Sequence, residues 1–362
     1  MAYNIALQFE DGVTRIVPCE ADELVADAAY RAKINIPLDC RDGACGTCKC
    51  HCESGEYEMG VYIEDALAED EAAKGYVLTC QMKPKSDCVV RVPASSAACK
   101  TEVGTHGARV SQIARDSTTT VTFSLTAERP IAFLPGQYVN LQVPGSKETR
   151  SYSFSSVPNS TELGFLIRDV PNGLMSTYMR SKANTGDFMT FAGPYGSFYL
   201  RPQIRPILML AGGTGLAPFL SMLLWLKDNP TDQPITLAYG VNTTEDLVEL
   251  GTLAELKTVM PNLDYFTVVV DRECGHPRLG YVTQHLGPEH LNDGDVDVYV
   301  CGPPPMVEGV RKWIAGCGVT PKNFLFEKFS SSSEGASRTR TLWLAPPGSK
   351  ARLSSSPGRR KA

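Results

Sequence analysis

Five of the chain's 12 cysteines, Cys40, Cys45, Cys48, Cys50 and Cys52, stand within the thirteen positions of CRDGACGTCKCHC, and the other 349 residues hold seven. Thiols at that density must act as crosslinks, as ligands or as buried apolar groups, and each choice restricts the local fold. The N-terminal MAYNIALQFEDG combines no basic residues with an apolar run, so an export signal is not expected and the thiols are expected to stay reduced in the cytoplasm. Clustered cysteines in that setting read as metal ligands rather than as disulfides.

Cys40, Cys45 and Cys48 are spaced C-x4-C-x2-C, and Cys80 follows in YVLTCQ. This spacing resembles that of plant-type 2Fe-2S proteins, in which one loop wraps the cluster and a more distant cysteine completes it. Gly43 and Gly46 give such a loop its freedom. The expected ligands are therefore Cys40, Cys45, Cys48 and Cys80. Two alternatives remain at this level. Cys48, Cys50 and Cys52 alternate, so an extended segment would turn all three to one face, where Cys50 and Cys52 either compete as ligands or serve as small buried apolar groups. Zinc held by Cys45, Cys48, His51 and Cys52 is the other, though it lacks the paired C-x2-C knuckles of a zinc ribbon.

A chain of 362 residues exceeds one ordinary core, so several domains are expected. Residues 1–96 begin with two strands around Asp11-Gly12 and a helical pattern in ELVADAAYRAKI. Residues 97–107 thin into small and polar side chains, a linker. From 108 to 205, short runs such as TVTFSL, QYVNLQV, YSFSSV and GFLIRDV between Gly and Pro turns predict an antiparallel barrel or sandwich. From 206 to 329, strand and helix patterns alternate, which predicts a parallel α/β sheet covered on both faces. The chain is thus read as multidomain, α+β followed by α/β. Residues 330–362 are rich in Ser, Pro, Gly and Arg and are expected to be disordered.

Pro206 to Leu226 is uncharged over 21 residues, about the length of a membrane span, but Gly212, Gly213, Gly215 and Pro218 divide it into strand, turn and helix. No membrane partner is expected. The segment from Ser330 onward carries seven Lys and Arg against one Glu, so the formal net charge of -5 hides a body of -11. An acidic body argues against nucleic acid as a partner.

Two further motifs suggest cofactors. In RSYSFSS, Arg150 to Ser156, a guanidinium, an aromatic face and a hydroxyl alternate along a strand, which suits a pyrophosphate and a flat ring, although an exposed Arg on an ordinary strand has the same pattern. AGGTGLAP, Ala211 to Pro218, follows a buried strand and opens a helix, where glycines allow a phosphate to approach the helix N-terminus. Glu245 and Asp246 follow the next strand, where a carboxylate accepts hydrogen bonds from a ribose and repels a 2'-phosphate; they also suit a solvated helix start.

In this order the motifs resemble a ferredoxin joined to the ferredoxin-NADP reductase family, as in the reductase component of two-component aromatic-ring dioxygenases. The resemblance covers about residues 3 to 329 and rests on LDCRDGACGTC, CESGEY, TRSYSFSS, NGLMS, LAGGTGLAPFLSML, VYVCGPPPM and NFLFEKFS. It implies a β-grasp plant-type ferredoxin, an antiparallel FAD-binding β-barrel and a parallel α/β NAD-binding domain. It further implies that Arg150 and Ser176 hold FAD phosphates with the backbone of Gly173 and Met175, that Tyr152 lies along the isoalloxazine, and that Ser153 bonds near its N5. Gly212, Gly213, Thr214, Gly215, Gly302 and Pro303 would then hold NADH, with Asp246 on its ribose. Cys301 would align the nicotinamide, Glu327 would help to organise hydride transfer, and Phe329 would shield the flavin. The expected path runs from NADH through FAD and the 2Fe-2S cluster to an external terminal oxygenase component of a ring-hydroxylating dioxygenase.

Overall fold

The computed structural model describes residues 2–100, 103–115 and 117–329; the segment 330–362, expected to be disordered, lies outside them. The chain divides after Ser96 into two compact units.

The first unit opens with the antiparallel hairpin β1 (Ala2–Phe9) and β2 (Thr14–Glu20), followed by α1 (Val25–Arg31). Val25, Ala26, Ala28 and Ala29 are buried, so mostly small side chains let this short helix lie close to the sheet. The cysteine loop comes next, then β3 (Lys49–Ser54), β4 (Tyr57–Met59), α2 (Glu69–Ala73), β5 (Tyr76–Leu78), β6 (Met82–Pro84) and β7 (Cys88–Val92). The main sheet runs β2-β1-β7-β3-β5, with β7 parallel to β1 at its centre, and β4 pairs with β6 beside it. A hairpin that receives a late parallel strand while a helix crosses one face is the β-grasp arrangement.

The second unit begins with a six-stranded antiparallel sheet: β8 (Gly104–Ala114), β9 (Thr120–Ile131), β10 (Tyr138–Gln142), β11 (Thr149–Ser153), β12 (Ser160–Arg168) and, after α3 (Leu174–Ser181), β13 (Phe188–Tyr195). Its order is β11-β10-β13-β8-β9-β12, and a bridge between Phe154 and Phe165 brings the two outer strands together into a partly closed barrel. Phe133, Phe154, Phe165 and Phe123 stack inside it, Phe133 on Phe154 at 3.8 Å between centroids. Residues 104–107, assigned to the linker by composition, are the start of β8 and pair with β13, because Gly and small polar residues are tolerated where backbone pairing supplies the order.

A second layer follows, with β14 (Ile207–Gly212), α4 (Ala217–Asp228), β15 (Ile235–Val241), α5 (Leu250–Val259), β16 (Leu263–Val269), β17 (Asp297–Gly302), α6 (Pro304–Gly316) and β18 (Asn323–Lys328). All five strands are parallel in the order β16-β15-β14-β17-β18. Alternation along them fills two cores: Met209, Leu237, Tyr239 and Tyr299 pack with α4 and α5, while Leu208, Ala238, Val298 and Val300 pack with α6. The uncharged stretch from Pro206 to Leu226 is β14 and α4, and no described helix is long and apolar enough to cross a membrane. Within LVELGTLAELKTVM, the stretch from Leu247 to Met260, the helix begins only at Leu250. The Tyr239 hydroxyl donates to the Asp246 carbonyl at 3.1 Å and accepts from the Val248 amide at 3.5 Å, and Glu249 adopts a left-handed conformation, so the first residues stay extended.

Candidate functional site

In the first unit the loop from Cys40 to Cys48 sits between α1 and β3, with Cys48 and Cys80 buried, Cys40 partly buried and Cys45 exposed. Gly43 has φ +79, and a Cβ there would stand 2.5 Å from the Val61 carbonyl oxygen, so only glycine lets the loop turn against that strand of backbone. The four thiols form a chain of contacts, Cys45 to Cys40 to Cys80 to Cys48. Hydrogen bonds from Cys45 and Cys80 hold the Cys40 thiol far below its ordinary value, and the amides of Ala44 and Cys45 donate to the same sulfur at 3.4 and 3.3 Å. A loop that stabilises a thiolate in advance suits a metal ligand.

Among the described residues, no three His, Cys, Asp or Glu side chains converge on one point as ligands of a single ion. The four thiols in one continuous chain of contacts match in number the four ligands of a 2Fe-2S cluster. The alternative ligands are engaged elsewhere. The Cys52 thiol bonds to the Ser54 carbonyl at 3.3 Å and contacts Cys88, while the His51 imidazole stands 2.8 Å from the Lys74 carbonyl and 3.0 Å from the Glu53 carboxylate. Cys50 is buried on β3 opposite Val77.

In the second unit, β11 lies at one edge of the barrel sheet and alternation sorts its side chains. Ser151 and Ser153 share a face with Asn140 and Tyr138, and Arg150 and Tyr152 share the other with Leu141 and Val139. Tyr152 packs on the barrel core, and burial pushes its phenol well above the ordinary range. Arg150 pairs with Glu148 at 2.7 Å and donates to the Thr149 carbonyl rather than reaching Ser176. Ser176 lies in the first turn of α3, whose N-cap is Gly173, with its hydroxyl 2.9 Å from the Val170 carbonyl and 3.2 Å from that of Gly173. The Met175 side chain is in the barrel core, so only its backbone faces the turn. Nothing in the sequence analysis marks helix α3, which begins within NGLMS.

The parallel sheet reverses its winding between β14 and β17, and open α/β sheets bind ligands at the carboxyl ends of such strands. Glycines line that crevice. A Cβ on Gly215 would stand 2.3 Å from the Cys301 carbonyl oxygen, and one on Gly302 would stand 3.2 Å from the Gly212 Cα. Gly213, Thr214 and Gly215 form a 3-10 turn that leads into α4, which presents its N-terminal amides to the crevice. Pro303 caps α6 on the other side.

At the mouth of this crevice the two layers of the second unit meet. The Ser153 hydroxyl donates to Glu327 Oε2 at 3.2 Å, and the Cys301 thiol lies 4.0 Å from the same oxygen. Burial, with Glu327 beside it, pushes the Cys301 thiol well above its ordinary value, so it is a neutral group rather than a nucleophile. The Phe329 amide donates to the Gly302 carbonyl at 2.9 Å, and its ring packs on the α4 side of the sheet. Ser153, Cys301 and Glu327 are thus brought together from segments 148 and 174 residues apart.

Asp246 behaves differently from its reading as a ribose ligand. Its carboxylate accepts from the Thr243 amide at 2.9 Å, the Thr243 hydroxyl at 3.1 Å and Thr119 of the barrel. Burial works against its charge, yet these hydrogen bonds hold it below the usual carboxylate range. Its neighbour Glu245 accepts from the Thr118 hydroxyl at 2.8 Å.

Comparison with known proteins matches three domain models to the chain: a 2Fe-2S iron-sulfur cluster binding domain at residues 8–85, an oxidoreductase FAD-binding domain at 108–199 and an oxidoreductase NAD-binding domain at 209–312. The chain is 52% identical to the toluate 1,2-dioxygenase electron transfer component of Pseudomonas putida, over 92% of this chain and 100% of that one. It is 53% identical to the 2-halobenzoate 1,2-dioxygenase electron transfer component of Burkholderia cepacia, over 91% and 98%. Among solved structures, the cytochrome P450 reductase of Amycolatopsis superposes with a TM-score of 0.69 at 31% identity, covering 90% of this chain and 99% of that one.

Proposed function

This chain belongs to the electron transfer components of aromatic-ring dioxygenases, and on that premise we propose that it carries electrons from NADH to a terminal oxygenase acting on benzoate or a ring-substituted benzoate. The relatives named for toluate and 2-halobenzoate support an aromatic carboxylate as the partner's substrate. NADH gives up two electrons as a hydride, a 2Fe-2S cluster takes one at a time, and bound FAD exchanges either number, which is why the three occur in one chain.

The observation that carries the reading is the meeting of Ser153, Cys301 and Glu327 where the barrel faces the NAD crevice. Ser153 would bond the flavin edge that receives the hydride, and Tyr152 would support the ring from the barrel side. Arg150 would exchange Glu148 for the FAD pyrophosphate, beside the α3 N-terminus formed by Gly173, Met175 and Ser176. Gly212, Gly213, Thr214, Gly215, Gly302 and Pro303 hold NADH. The Asp246 carboxylate would exclude a 2'-phosphate by charge. Glu327 would orient Ser153, Cys301 would fill space without reacting, and Phe329 would shield the flavin ring. Cys40, Cys45, Cys48 and Cys80 hold the cluster. The compartment we propose is the reducing cytoplasm, where cysteine thiolates persist as metal ligands.

An anaerobic visible spectrum before and after NADH, with iron, sulfide and flavin quantified on the same sample, tests the path. Bleaching of both flavin and iron-sulfur bands is expected. Flavin that bleaches in a protein without iron would overturn the cluster assignment, and failure to support benzoate oxidation by a purified benzoate dioxygenase would overturn the choice of partner.

A further inference from the structure

The two layers of the second unit touch at a second place, away from Ser153 and Glu327. Between the barrel and helices α4 and α5 lies a cavity of about 310 Å³ bordered by Gln112, Thr122 and Glu162 on one side and Leu220, Glu249 and Thr252 on the other. Apolar packing joins the layers beside it, through Leu166 and Phe198 on the barrel side and Phe219 and Leu220 of α4, and the cavity interrupts that packing. Polar bridges carry the contact on its far side. Thr118 donates to Glu245 Oε2 at 2.8 Å, and the Ser117 hydroxyl donates to the Glu245 carbonyl at 2.9 Å.

Both partners of this bridge are held rigid from behind. On the barrel side, Arg180 bonds the Ser117 and Thr118 carbonyls at 3.3 and 3.2 Å while its Nε pairs with Asp169 at 2.6 Å. On the other side, the turn Thr244–Asp246 is tied by Tyr239 to the end of β15 and closed by the Thr243 capping box. Two bodies that meet at one contact keep freedom to rotate about it, and a second contact between stiff elements removes that freedom.

We propose that Thr118 and Glu245 are positioning residues for hydride transfer: their hydrogen bond sets the angle at which the NAD layer meets the flavin barrel and so keeps Cys301 and Glu327 in register with Ser153. The inference rests on the reading of the second unit as an NADH-to-flavin module. It assigns Glu245 to the orientation of the layers rather than to the nucleotide. Hydride transfer is sensitive to displacement of the order of 1 Å, so a small rotation here is felt at the junction without touching it.

The test uses the full-length holoprotein and the variants Thr118→Val, Glu245→Gln and both together, with Thr118→Ser as the conservative rescue. Stopped-flow bleaching of the flavin gives the limiting rate and its half-saturating NADH concentration, and amide exchange at Asp246 and Leu247 reports the turn directly. Each single variant is expected to lower the limiting rate roughly ten-fold with half-saturation nearly unchanged. The double variant should be no slower than either single one, because both remove the same bond. Exchange at Asp246 and Leu247 should quicken, and Thr118→Ser should restore both readings. A limiting rate within about two-fold of wild type, or effects that multiply, would overturn the proposal. So would a rise in half-saturation alone, which would return Glu245 to nucleotide binding. Wild-type protein that does not bleach with NADH would instead refute the functional reading beneath it, and flavin content equal to wild type in Glu245→Gln separates loss of position from loss of fold.

Discussion

The Ser153 hydroxyl of β11 donates to the Glu327 carboxylate of β18 across 3.2 Å, joining the edge of the barrel to the edge of the parallel sheet. Neither strand could place its side chain there alone. Ser153 is buried, so removing its hydroxyl takes away both its bond to Glu327 and the hydrogen-bonding group proposed for the flavin edge. Ser153→Ala is expected to slow flavin reduction by NADH about a hundred-fold, the lower end of the range seen when a preorganised donor is lost. Stopped-flow spectra at saturating NADH measure it, and an unchanged rate would mean that the hydroxyl serves packing alone.

The cysteine assignment separates cleanly by substitution. Cys45 is exposed at one end of the thiol chain, whereas Cys52 contacts Cys88. Cys45→Ser should lose iron, sulfide and their visible bands while its flavin still bleaches with NADH, and Cys52→Ser should keep all three. Iron retained in Cys45→Ser and lost in Cys52→Ser would reverse the choice between them.

What the sequence made legible was local. C-x4-C-x2-C and AGGTGLAP fix short loops whose backbone must take one shape, and both stand where the spacing put them. Asp11-Gly12 likewise turns the first hairpin. Contacts between distant segments were not legible: nothing near Thr118 marks it as the partner of Glu245, 127 residues later. Glu245 and Asp246 were accordingly read as ribose ligands or solvated acids, because charge alone carries no record of what folds against it. Helix α3 was missed since eight residues show too few turns for a clear apolar period. Arg150 matched a motif, but its present partner, Glu148, is visible only in the structure.

Gly215 marks where the nucleotide loop presses on β17. An added methyl would stand 2.3 Å from the Cys301 carbonyl oxygen, too close for backbone to ignore. Gly215→Ala should destabilise the second unit by about 1–3 kcal/mol, the usual cost of overpacking. It should also raise the NADH concentration needed for half-maximal flavin reduction, since the loop can relieve the clash only by moving away from β17. Urea unfolding and a titration with NADH read the two effects, and wild-type values in both would show that the loop has room.

Cys301 links the junction to pH. Its thiol, with an ordinary value of 9.0, is pushed well above that by burial and then by Glu327. The folded state therefore holds this proton more tightly than the unfolded state. The stability it contributes is complete below pH 9.0 and is lost as pH rises from there toward the folded value. Cys301→Ala lacks the group, so between about pH 7.5 and 10 its urea midpoint should fall less than that of wild type. Equal losses in the two proteins would show that other buried thiols and phenols account for the alkaline sensitivity.

Charge also forecasts how the first unit meets its acceptor. Residues 1–96 carry 17 Asp and Glu against nine Lys and Arg, a net of -8, most of the -11 found outside the last 33 residues. The unit that holds the exit cluster is thus the most acidic part of the chain. Attraction to a basic surface on the terminal oxygenase would speed encounter, and salt screens such attraction over a Debye length of about 8–10 Å at physiological ionic strength. Raising salt from about 0.05 to 0.5 M should slow electron delivery to the oxygenase strongly. Reduction of ferricyanide, a small anion that the same charge repels, should be unchanged or quicker. Coupling to the oxygenase that ignores salt would mean that the docking contact is apolar and that the acidic surface faces away from it.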